Sequence, residues 1–462
     1  MLDVSAEFGT FTCIAGANGI GKSNVFDAIE FLARLASAPF AEAAQQIRGV
    51  EGVRGGDARD LFWDGYRSED KHISLAAEMV VSREISDDLG SSAKATTTFL
   101  RYELGLGWEP PTGEGSIGRI TLERESLTHI TRGDAAKHLH FPMSVKNFRN
   151  EIVLGQRRGG AFLSTDSRDG KTIINVHGDG GSFGRPQPRA AERSGRTVLS
   201  TVTTNDYPTI LAARREMQSW RRLALEPSAL RSPNSFTDPR ELGSNGQYLA
   251  STLYRIAHEP ISADYEDPDA VYARVSGRLA DLVGVGAEEV SVELDRVREV
   301  FTVFLQESGH LKLTARALSE GTLRFLALCV LLEDPHFHGL VCMEEPENGI
   351  HPGNLSSIVE LVRDLAVDPW TRPDSSNPFR QVIINTHSPG VVQLCDPADL
   401  LLAELQPVEL PDHSVRRAMM LRPFRDTWRE TRNGQEFSEG DVVAYLTAPP
   451  DAQLTLPLQF AS

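Results

Sequence analysis

The sequence lacks the long apolar stretches that membrane proteins need. Its longest clear apolar run, Phe325 to Leu332, is far shorter than the ~20 residues of a membrane span. The chain opens at Met1 without a basic segment followed by an apolar one, so nothing indicates secretion. We therefore expect a cytoplasmic protein with no membrane partner.

Cysteine is also scarce. The four cysteines, Cys13, Cys329, Cys342 and Cys395, are scattered without C-x-x-C spacing, and the first three lie in apolar runs. Buried free thiols in a reducing compartment are therefore expected, rather than disulfides or metal ligands.

Net positive charge is absent. A formal charge of −17 excludes a protein that coats nucleic acid through its overall charge. The charge is uneven, however, because Lys146 to Ser232 carry 15 Lys/Arg against 8 Asp/Glu, a net of +7 that leaves −24 for the remainder. A local basic surface can bind phosphates on an acidic protein, which makes DNA a candidate partner. Arginines that are merely solvated explain any one of these residues equally well.

No heptad pattern is sustained over three or four repeats, which excludes a long coiled coil. Strand patterns and helical patterns instead alternate along the chain. The predicted strands are Leu2–Phe8, Phe11–Ala15, Ile73–Val81, Thr97–Leu106, Ile120–Glu125, Val300–Gln306, Leu311–Ala315, Gly339–Met343 and Gln381–Asn385. The predicted helices are Ser23–Ala36, Pro208–Leu225, Gln247–Ala257, Ala270–Leu282 and one that begins near Ser319.

A phosphate-binding loop is present near the start of the chain. Residues 16–23, Gly-Ala-Asn-Gly-Ile-Gly-Lys-Ser, match G-x-x-x-x-G-K-[ST] between an apolar strand and an amphipathic helix. In such a loop the backbone N–H groups bind phosphates, the lysine reaches the β- and γ-phosphates, and the serine hydroxyl binds Mg²⁺. The motif predicts that Lys22 and Ser23 bind a nucleoside triphosphate with its metal.

An acidic pair follows another apolar strand. Glu344 and Glu345 end the run Leu340–Met343, and ligands of α/β sheets bind at the carboxyl ends of strands. Two acids there need a neutralising partner, which nucleotide-bound Mg²⁺ would supply. We expect Glu344 near the metal and Glu345 as the acceptor of a proton from attacking water. An acidic pair alone is weak evidence, because helix N-termini also favour acids.

Two further polar motifs flank this pair. Leu318-Ser319-Glu320-Gly321-Thr322 opens a helix, where a serine and a glycine can form an anion site, although a plain helix cap has the same pattern. His387 follows the strand Gln381–Asn385, and an imidazole there can hydrogen-bond a γ-phosphate or the attacking water. A lone histidine after a strand is more often structural.

The order of these motifs resembles that of ABC-type ATPases. It looks most like the RecF/SMC-like branch of AAA-domain ATPases, including the ATPase subunits of Septu- or PARIS-like systems. In that family LSEGT resembles the signature motif, Glu344 and Glu345 match the Walker B acid and the catalytic glutamate, residues 348–351 fall on the D-loop, and His387 on the switch histidine. Glu344 stands where many members have Asp. Gln156 is a candidate for the Q-loop glutamine.

The resemblance implies an α/β fold: an ABC-type P-loop NTPase head with an antiparallel β subdomain, a short helical insertion and no long coiled coil. We predict an N-terminal ATPase lobe at 1–200, a helical insertion at 201–290, a C-terminal ATPase lobe at 291–410 and a tail at 411–462.

The resemblance also implies a composite site between two subunits, in a homodimer or higher oligomer. One subunit would bind ATP and Mg²⁺, and the signature of the other would complete the site in trans. The loop residues implied are Asn18, Gly19, Gly21, Lys22, Ser23 and Asn24, and the residues in trans are Ser319 and Gly321.

Two functions follow from the resemblance. The first is an ATP hydrolase that controls a separate nuclease or toxin effector in anti-phage defence, since the stretch after about Ala403 is too short for a TOPRIM-sized nuclease domain. The alternative is a RecF-like DNA-binding clamp in repair that uses ATP as a timer. A transporter ATPase is disfavoured, because the segment between Asn24 and Ala317 is long and rich in predicted strands.

Overall fold

A computed structural model gives the fold of this chain. It describes residues 1–47, 57–63, 71–111, 118–155, 160–180, 185–191, 193–259, 267–283, 287–307, 309, 312–409, 413–429 and 437–447.

The described residues form strands and helices along their whole length. The strands are β1 (Phe11–Ala15), β2 (His72–Val80), β3 (Glu84–Ser86), β4 (Ser92–Lys94), β5 (Phe99–Glu109), β6 (Arg119–His129), β7 (Leu163–Arg168), β8 (Lys171–Val176), β9 (Gln187–Ala190), β10 (Arg221–Leu223), β11 (Asn234–Ser235), β12 (Ala287–Asp295), β13 (Val300–Glu307), β14 (Lys312–Thr314), β15 (Gly339–Glu344), β16 (Arg380–Thr386), β17 (Leu400–Glu409) and β18 (Val415–Pro423). The helices are α1 (Ser23–Leu35), α2 (Phe40–Gln46), α3 (Asn150–Ile152), α4 (Pro208–Ser219), α5 (Pro227–Leu230), α6 (Leu249–His258), α7 (Pro268–Val283), α8 (Glu320–Glu333), α9 (Leu355–Asp364), α10 (Pro389–Leu394) and α11 (Glu439–Thr447).

The chain divides into two compact units built from non-consecutive segments. We call Val4–Ser23, Arg221–Asp368 and Pro373–Ser462 the motif unit, and Met1–Asp3, Asn24–Trp220 and Pro369–Arg372 the antiparallel unit. The division into four consecutive segments stays a prediction.

The motif unit contains a six-stranded sheet with the order β10-β15-β16-β1-β17-β18. Its first five strands are parallel, and β18 pairs antiparallel with β17. All five residues of β1 are buried, as are five of the six in β15, which is what a parallel sheet covered on both faces requires. Ala15 lies opposite Thr386, and Glu344 lies opposite Asn385, so three strands end at one edge of the sheet.

The same unit contains a smaller antiparallel sheet, β11-β13-β12, with β14 paired to β13. Strands β13 and β14 pair antiparallel, with Leu305 opposite Leu313, where the sequence predicts the consecutive strands Val300–Gln306 and Leu311–Ala315. Helix α8 follows β14 and has nine buried residues, and its first N–H groups are capped by the side chain of Ser319. This cap lies inside the signature-like motif, whose last three residues, 320–322, form the first turn of α8.

The antiparallel unit contains the sheet β2-β5-β6-β7-β8-β9. Its strands alternate between more buried and more exposed residues, as in antiparallel sheets that have one face exposed to solvent. The buried face packs with α1, α2 and α4 into one core, which includes Phe31, Phe40, Leu104 and Leu211. The hairpin sheet predicted from residues 73–125 is therefore confirmed.

Two predictions about secondary structure are wrong. Leu2–Phe8 form no strand, because pairing with β16 begins only at Thr10, whose carbonyl accepts from Val382 N at 2.8 Å. The helix predicted over Pro208–Leu225 ends at Ser219, and Arg221–Leu223 instead add a strand to the free side of β15. A strand's stability depends on its neighbour, so local helical periodicity could not indicate this.

The predicted fold class is confirmed: the chain is α/β, with a parallel sheet carrying the motifs and an antiparallel β subdomain. The longest helix in the described part, α7, has 16 residues, so the described residues contain no long coiled coil. All four cysteines are buried free thiols. No helix among the residues that the structure describes is long and apolar enough to cross a membrane.

Candidate functional site

The phosphate loop leaves the sheet at the end of β1. Gly16 N donates to Thr386 O at 3.1 Å, which ties the first loop residue to the end of β16. Gly19 and Gly21 have φ angles of +78° and +97°, in the region that side chains rarely adopt. Asn18 and Gly19 are exposed at the tip of the loop, where their N–H groups are open to a ligand.

Gly16 is required by close packing. A Cβ at this position would lie 2.5 Å from Ile20 Cδ1 and 2.8 Å from the carbonyl oxygen of Ala403. The first glycine of the motif therefore lets the loop pass against β17.

Lys22 is buried within its own loop. It is only 6% exposed, and Nζ donates to Gly16 O at 2.7 Å and to Ala17 O at 2.9 Å. Burial lowers the pKa of Lys22, and the charges of Glu345, Glu347 and Glu344 oppose this shift. The ammonium is thus held by two carbonyls that a charged phosphate oxygen could replace with stronger hydrogen bonds.

Ser23 and Asn24 open helix α1 and are half-buried. The N–H groups of a first helical turn have no partners within the helix, and the helix dipole adds positive potential there. Strand β1 and the loop up to Ser23 therefore have the form of a phosphate-binding loop.

The acidic pair lies at the end of β15. Glu344 Oε1 accepts from Arg222 Nη2 at 2.8 Å, and this arginine lies on the neighbouring strand β10. Glu345 N donates to Asn385 O at 3.0 Å, which extends the pairing between β15 and β16 by one residue. Glu345 has φ +45°, a conformation that costs energy for a residue with a side chain and is concentrated at functional sites.

The Glu345 carboxylate joins two other loops. Its Oε1 lies 2.7 Å from His387 Nδ1, and its Oε2 accepts from Asn348 Nδ2 at 2.7 Å. Its side chain is 25% exposed and that of His387 is 40% exposed, so both can meet a ligand. A carboxylate oriented by an imidazole and an amide is suited to position and deprotonate a water molecule.

Ser319 and Glu320 of the signature-like motif are exposed at the start of α8, whereas Leu318 and Thr322 are buried. Ser319 accepts from Thr322 N at 3.1 Å, the plain helix cap that the sequence left open as an alternative. A Cβ on Gly321 would lie 3.6 Å from Ile350 Cδ1 and 3.8 Å from Gly349 O, an ordinary contact. Among the described residues, no hydrogen bond joins Ser319 to Lys22 or to Glu345. Gly321 therefore lies beside the turn at Gly349 and Ile350, and this turn also carries Asn348, the partner of Glu345.

Sequence reasoning missed two side chains of this edge. Arg222 has no motif around it, and only the pairing of β10 with β15 brings it to Glu344. Glu347 is the third acid of the run Glu-Glu-Pro-Glu, and this run is the sequence signal that could have indicated it. Gln156, the Q-loop candidate, lies outside the described residues.

The oxygen atoms at this edge suit Mg²⁺. The hydroxyl of Ser23 and the carboxylate of Glu344 are hard ligands, and Mg²⁺ is usually bound by one or two such protein groups together with phosphate oxygens and water. The carboxylate of Glu344 is also oriented by its ion pair with Arg222. The described residues contain no cluster of three or more His, Cys, Asp or Glu that could hold a metal.

Comparison with known proteins gives one family. A family model described as "AAA domain, putative AbiEii toxin, Type IV TA system" matches residues 11–85 and 180–393. Both segments together contain the phosphate loop, the signature-like motif, the acidic pair and His387. No curated protein sequence matches the chain.

Several solved structures are similar at low identity. An SMC head bound to the C-terminal winged-helix domain of ScpA is 12% identical, with 90% of this chain and 92% of that chain covered and a TM-score of 0.39. The SMC head of Pyrococcus furiosus bound to the C-terminal domain of ScpA is 11% identical, with coverage of 90% and 92% and a TM-score of 0.38. The SMC head domain of Thermotoga maritima is 12% identical, with coverage of 91% and 92% and a TM-score of 0.31.

Proposed function

This chain belongs to the AAA-domain family whose model it matches, and from this premise we propose that it binds ATP with Mg²⁺ and hydrolyses it. One observation carries the proposal. The phosphate loop, the acidic pair and His387 follow three parallel strands that end at one edge of a sheet, and Glu345 is hydrogen-bonded to His387 there at 2.7 Å. Ligands of parallel α/β sheets bind at such an edge.

Each residue has a role that its geometry supports. The loop N–H groups and Lys22 bind the phosphates, while Ser23 and Glu344 hold Mg²⁺, which neutralises charge on the phosphates when bound. Glu345 accepts the proton of the attacking water, and His387 orients Glu345 and contacts the γ-phosphate. Asn24 and the loop residues Asn18, Gly19 and Gly21 complete the phosphate contacts through the start of α1.

The site is composite in this proposal. Ser319 is exposed at the N-terminus of a 14-residue helix, and Gly321 follows it in the first turn. An exposed helix N-terminus can bind the γ-phosphate of a nucleotide held by a second copy of the chain. Two heads would then enclose two ATP molecules.

Variants of the acidic pair and the loop test this proposal. Glu345→Gln keeps the shape of the side chain but removes the base, so we expect turnover to fall by about 10²–10⁴-fold while ATP binding persists. Size-exclusion chromatography with light scattering should then show an ATP-dependent dimer of this variant. Lys22→Ala should lose both ATP binding and the dimer. Unchanged turnover in Glu345→Gln contradicts the assignment.

The proposed output is control of a separate effector protein, a nuclease or toxin, in anti-phage defence. The family description, which names a toxin of a toxin–antitoxin system, supports this. Co-purification with the products of adjacent genes, with and without ATP, is the test. A chain that purifies alone and blocks phage without a partner contradicts it.

A DNA clamp is the second candidate. The observation that favours it is a group of exposed arginines, Arg185, Arg189 and Arg193, around strand β9 of the antiparallel unit. Such a group can contact a phosphate backbone. ATP-dependent binding of duplex DNA that weakens with salt, and weakens further when these arginines are replaced by Ala, would favour this candidate over effector control.

A further inference from the structure

Glu347 is a third acid beside the acidic pair, and the proposed reaction does not use it. It is only 7% exposed, whereas Glu344 and Glu345 are half-buried. Its backbone begins the turn that carries Asn348, because Ile350 N donates to Glu347 O at 3.0 Å. A buried carboxyl needs a compensating partner to remain there.

That partner is a single side chain on the loop of His387. Glu347 Oε1 accepts a hydrogen bond from Thr386 Oγ1, and Thr386 is fully buried at the end of β16. In the part of the chain that the structure describes, Oε2 of Glu347 is buried without a hydrogen-bond partner. Burial raises the pKa of Glu347, and the bond from Thr386 opposes this shift.

Thr386 connects two catalytic loops. Its hydroxyl accepts from Ser388 N at 2.9 Å, which closes the backbone around His387. Its carbonyl accepts from Gly16 N at 3.1 Å, at the first residue of the phosphate loop. A displacement of Thr386 would therefore move both the imidazole that orients Glu345 and the entry of the phosphate loop.

We propose that Glu347 is a positioning residue for ATP hydrolysis, which acts by fixing Thr386 and, through it, His387 and the phosphate loop. The inference rests on the proposed ATPase function. A carboxyl kept for stability alone would be better replaced by an apolar side chain, since its second oxygen has no partner among the described residues. Displacement of a catalytic group by about 1 Å can cost about 10²-fold in rate.

The experiment compares variants that break and keep the hydrogen bond. Glu347→Ala and Thr386→Val remove it, and each should lower kcat by about 10–100-fold with KM for ATP within about threefold of wild type. The double variant should be no slower than the slower single one, because the two residues act as a unit. Thr386→Ser keeps the hydroxyl and should retain at least about a third of kcat. Thermal unfolding of each variant separates rate effects from stability.

The outcomes separate this inference from the proposed function. If the wild type hydrolyses ATP and Glu345→Gln does not, the proposed ATPase function stands. If Glu347→Ala and Thr386→Val then both have the kcat of the wild type, only the inference about Glu347 is overturned. Multiplicative losses in the double variant overturn it too, because the residues would then act independently. If Glu347→Ala does not fold, Thr386→Val against Thr386→Ser decides by the same criteria. A wild type without ATPase activity contradicts both.

Discussion

Glu125 of the antiparallel unit and Glu345 of the motif unit are held by different kinds of hydrogen-bond partner. In the antiparallel unit, Glu125 on β6 is fully buried and accepts from Val198 N at 2.7 Å, from Leu199 N at 2.9 Å and from Tyr102 OH at 3.1 Å. In the motif unit, Glu345 is partly exposed and takes its partners from two loops that follow different strands. The acid with backbone partners holds a segment in place, and the acid with ionisable and polar side-chain partners is available for chemistry. The two acids therefore differ both in exposure and in the kind of partner that holds them.

The ion pairs of the two units also differ. On the wet face of the antiparallel sheet, Arg101 pairs with Glu78 and Glu103, and Arg124 also pairs with Glu103. Such exposed pairs contribute little, in the range of about 0–1 kcal/mol each. They lie on the solvated face of a sheet, whereas the ion pair of Arg222 with Glu344 at the motif edge orients a proposed metal ligand.

The largest expected effect concerns Glu125, the fully buried acid of the antiparallel unit. Glu125→Ala leaves two backbone N–H groups and a hydroxyl without their acceptor, so we expect a loss of about 3–5 kcal/mol in the free energy of unfolding. The matched control is Glu123→Ala on the same strand, whose exposed pair with His72 should be worth less than about 1 kcal/mol. Urea unfolding of both variants measures this. Equal losses would contradict the contrast between buried and exposed acids.

The second prediction concerns Glu345 and tests it through its partner, His387. His387→Ala removes the imidazole that orients Glu345, and we expect kcat to fall by about 100-fold with little change in unfolding temperature. His338→Ala is the control, because that exposed histidine precedes β15 and its Nδ1 lies 2.8 Å from the carbonyl oxygen of His336. Steady-state ATPase rates decide. A similar loss in both variants would show that His387 has no special role.

The third prediction uses pH. Burial raises the pKa of Glu125 from 4.5 to about 7, although its hydrogen bonds oppose this. The folded protein therefore binds this proton more tightly than the unfolded chain does, so the stability provided at this position is greatest at low pH and falls as pH rises from 4.5 to about 7. We expect the difference in unfolding free energy between wild type and Glu125→Ala to decrease by on the order of 1–3 kcal/mol across that window. A difference that grows with pH would contradict the assignment.

The smallest expected effects come from two glycines of the proposed composite site, Gly16 in the phosphate loop and Gly321 in the signature-like motif. Gly16→Ala forces a methyl group against Ala403 O and should cost about 1–2 kcal/mol of stability. Gly321→Ala meets only ordinary contacts and should change stability by less than about 0.5 kcal/mol, yet lower ATPase activity by about tenfold because it crowds a phosphate approached in trans. Thermal unfolding and turnover, measured on both variants, give the comparison. Full activity in Gly321→Ala would contradict the role in trans.

Much of the parallel sheet could be predicted from the sequence. β1, β15 and β16 were each found within one or two residues, because buried parallel strands read as short apolar runs between motif residues. The helical capping at Ser319 was found from local residue types as well. The failures at Leu2–Phe8 and Arg221–Leu223 have one cause, since a strand exists only where a neighbour offers its backbone.

The roles of the individual site residues remain predictions, and the structure adds their geometry. Periodicity could place Glu345 and His387 after strands, but it could not show that one carboxylate oxygen meets the imidazole and the other meets Asn348. It also gave no sign of Arg222, which has no motif of its own.

The sequence by itself determined the family, the phosphate loop and the order of the motifs, because these depend on residue types at short, fixed spacings. The tertiary structure alone decided which distant residues meet: Gly16 with Thr386, Glu345 with His387, and Glu347 with Thr386. These contacts follow from the parallel register of β1, β15 and β16, which brings the carboxyl ends of strands far apart in the chain to one edge. Side-chain spacing along a single strand carries no information about that register.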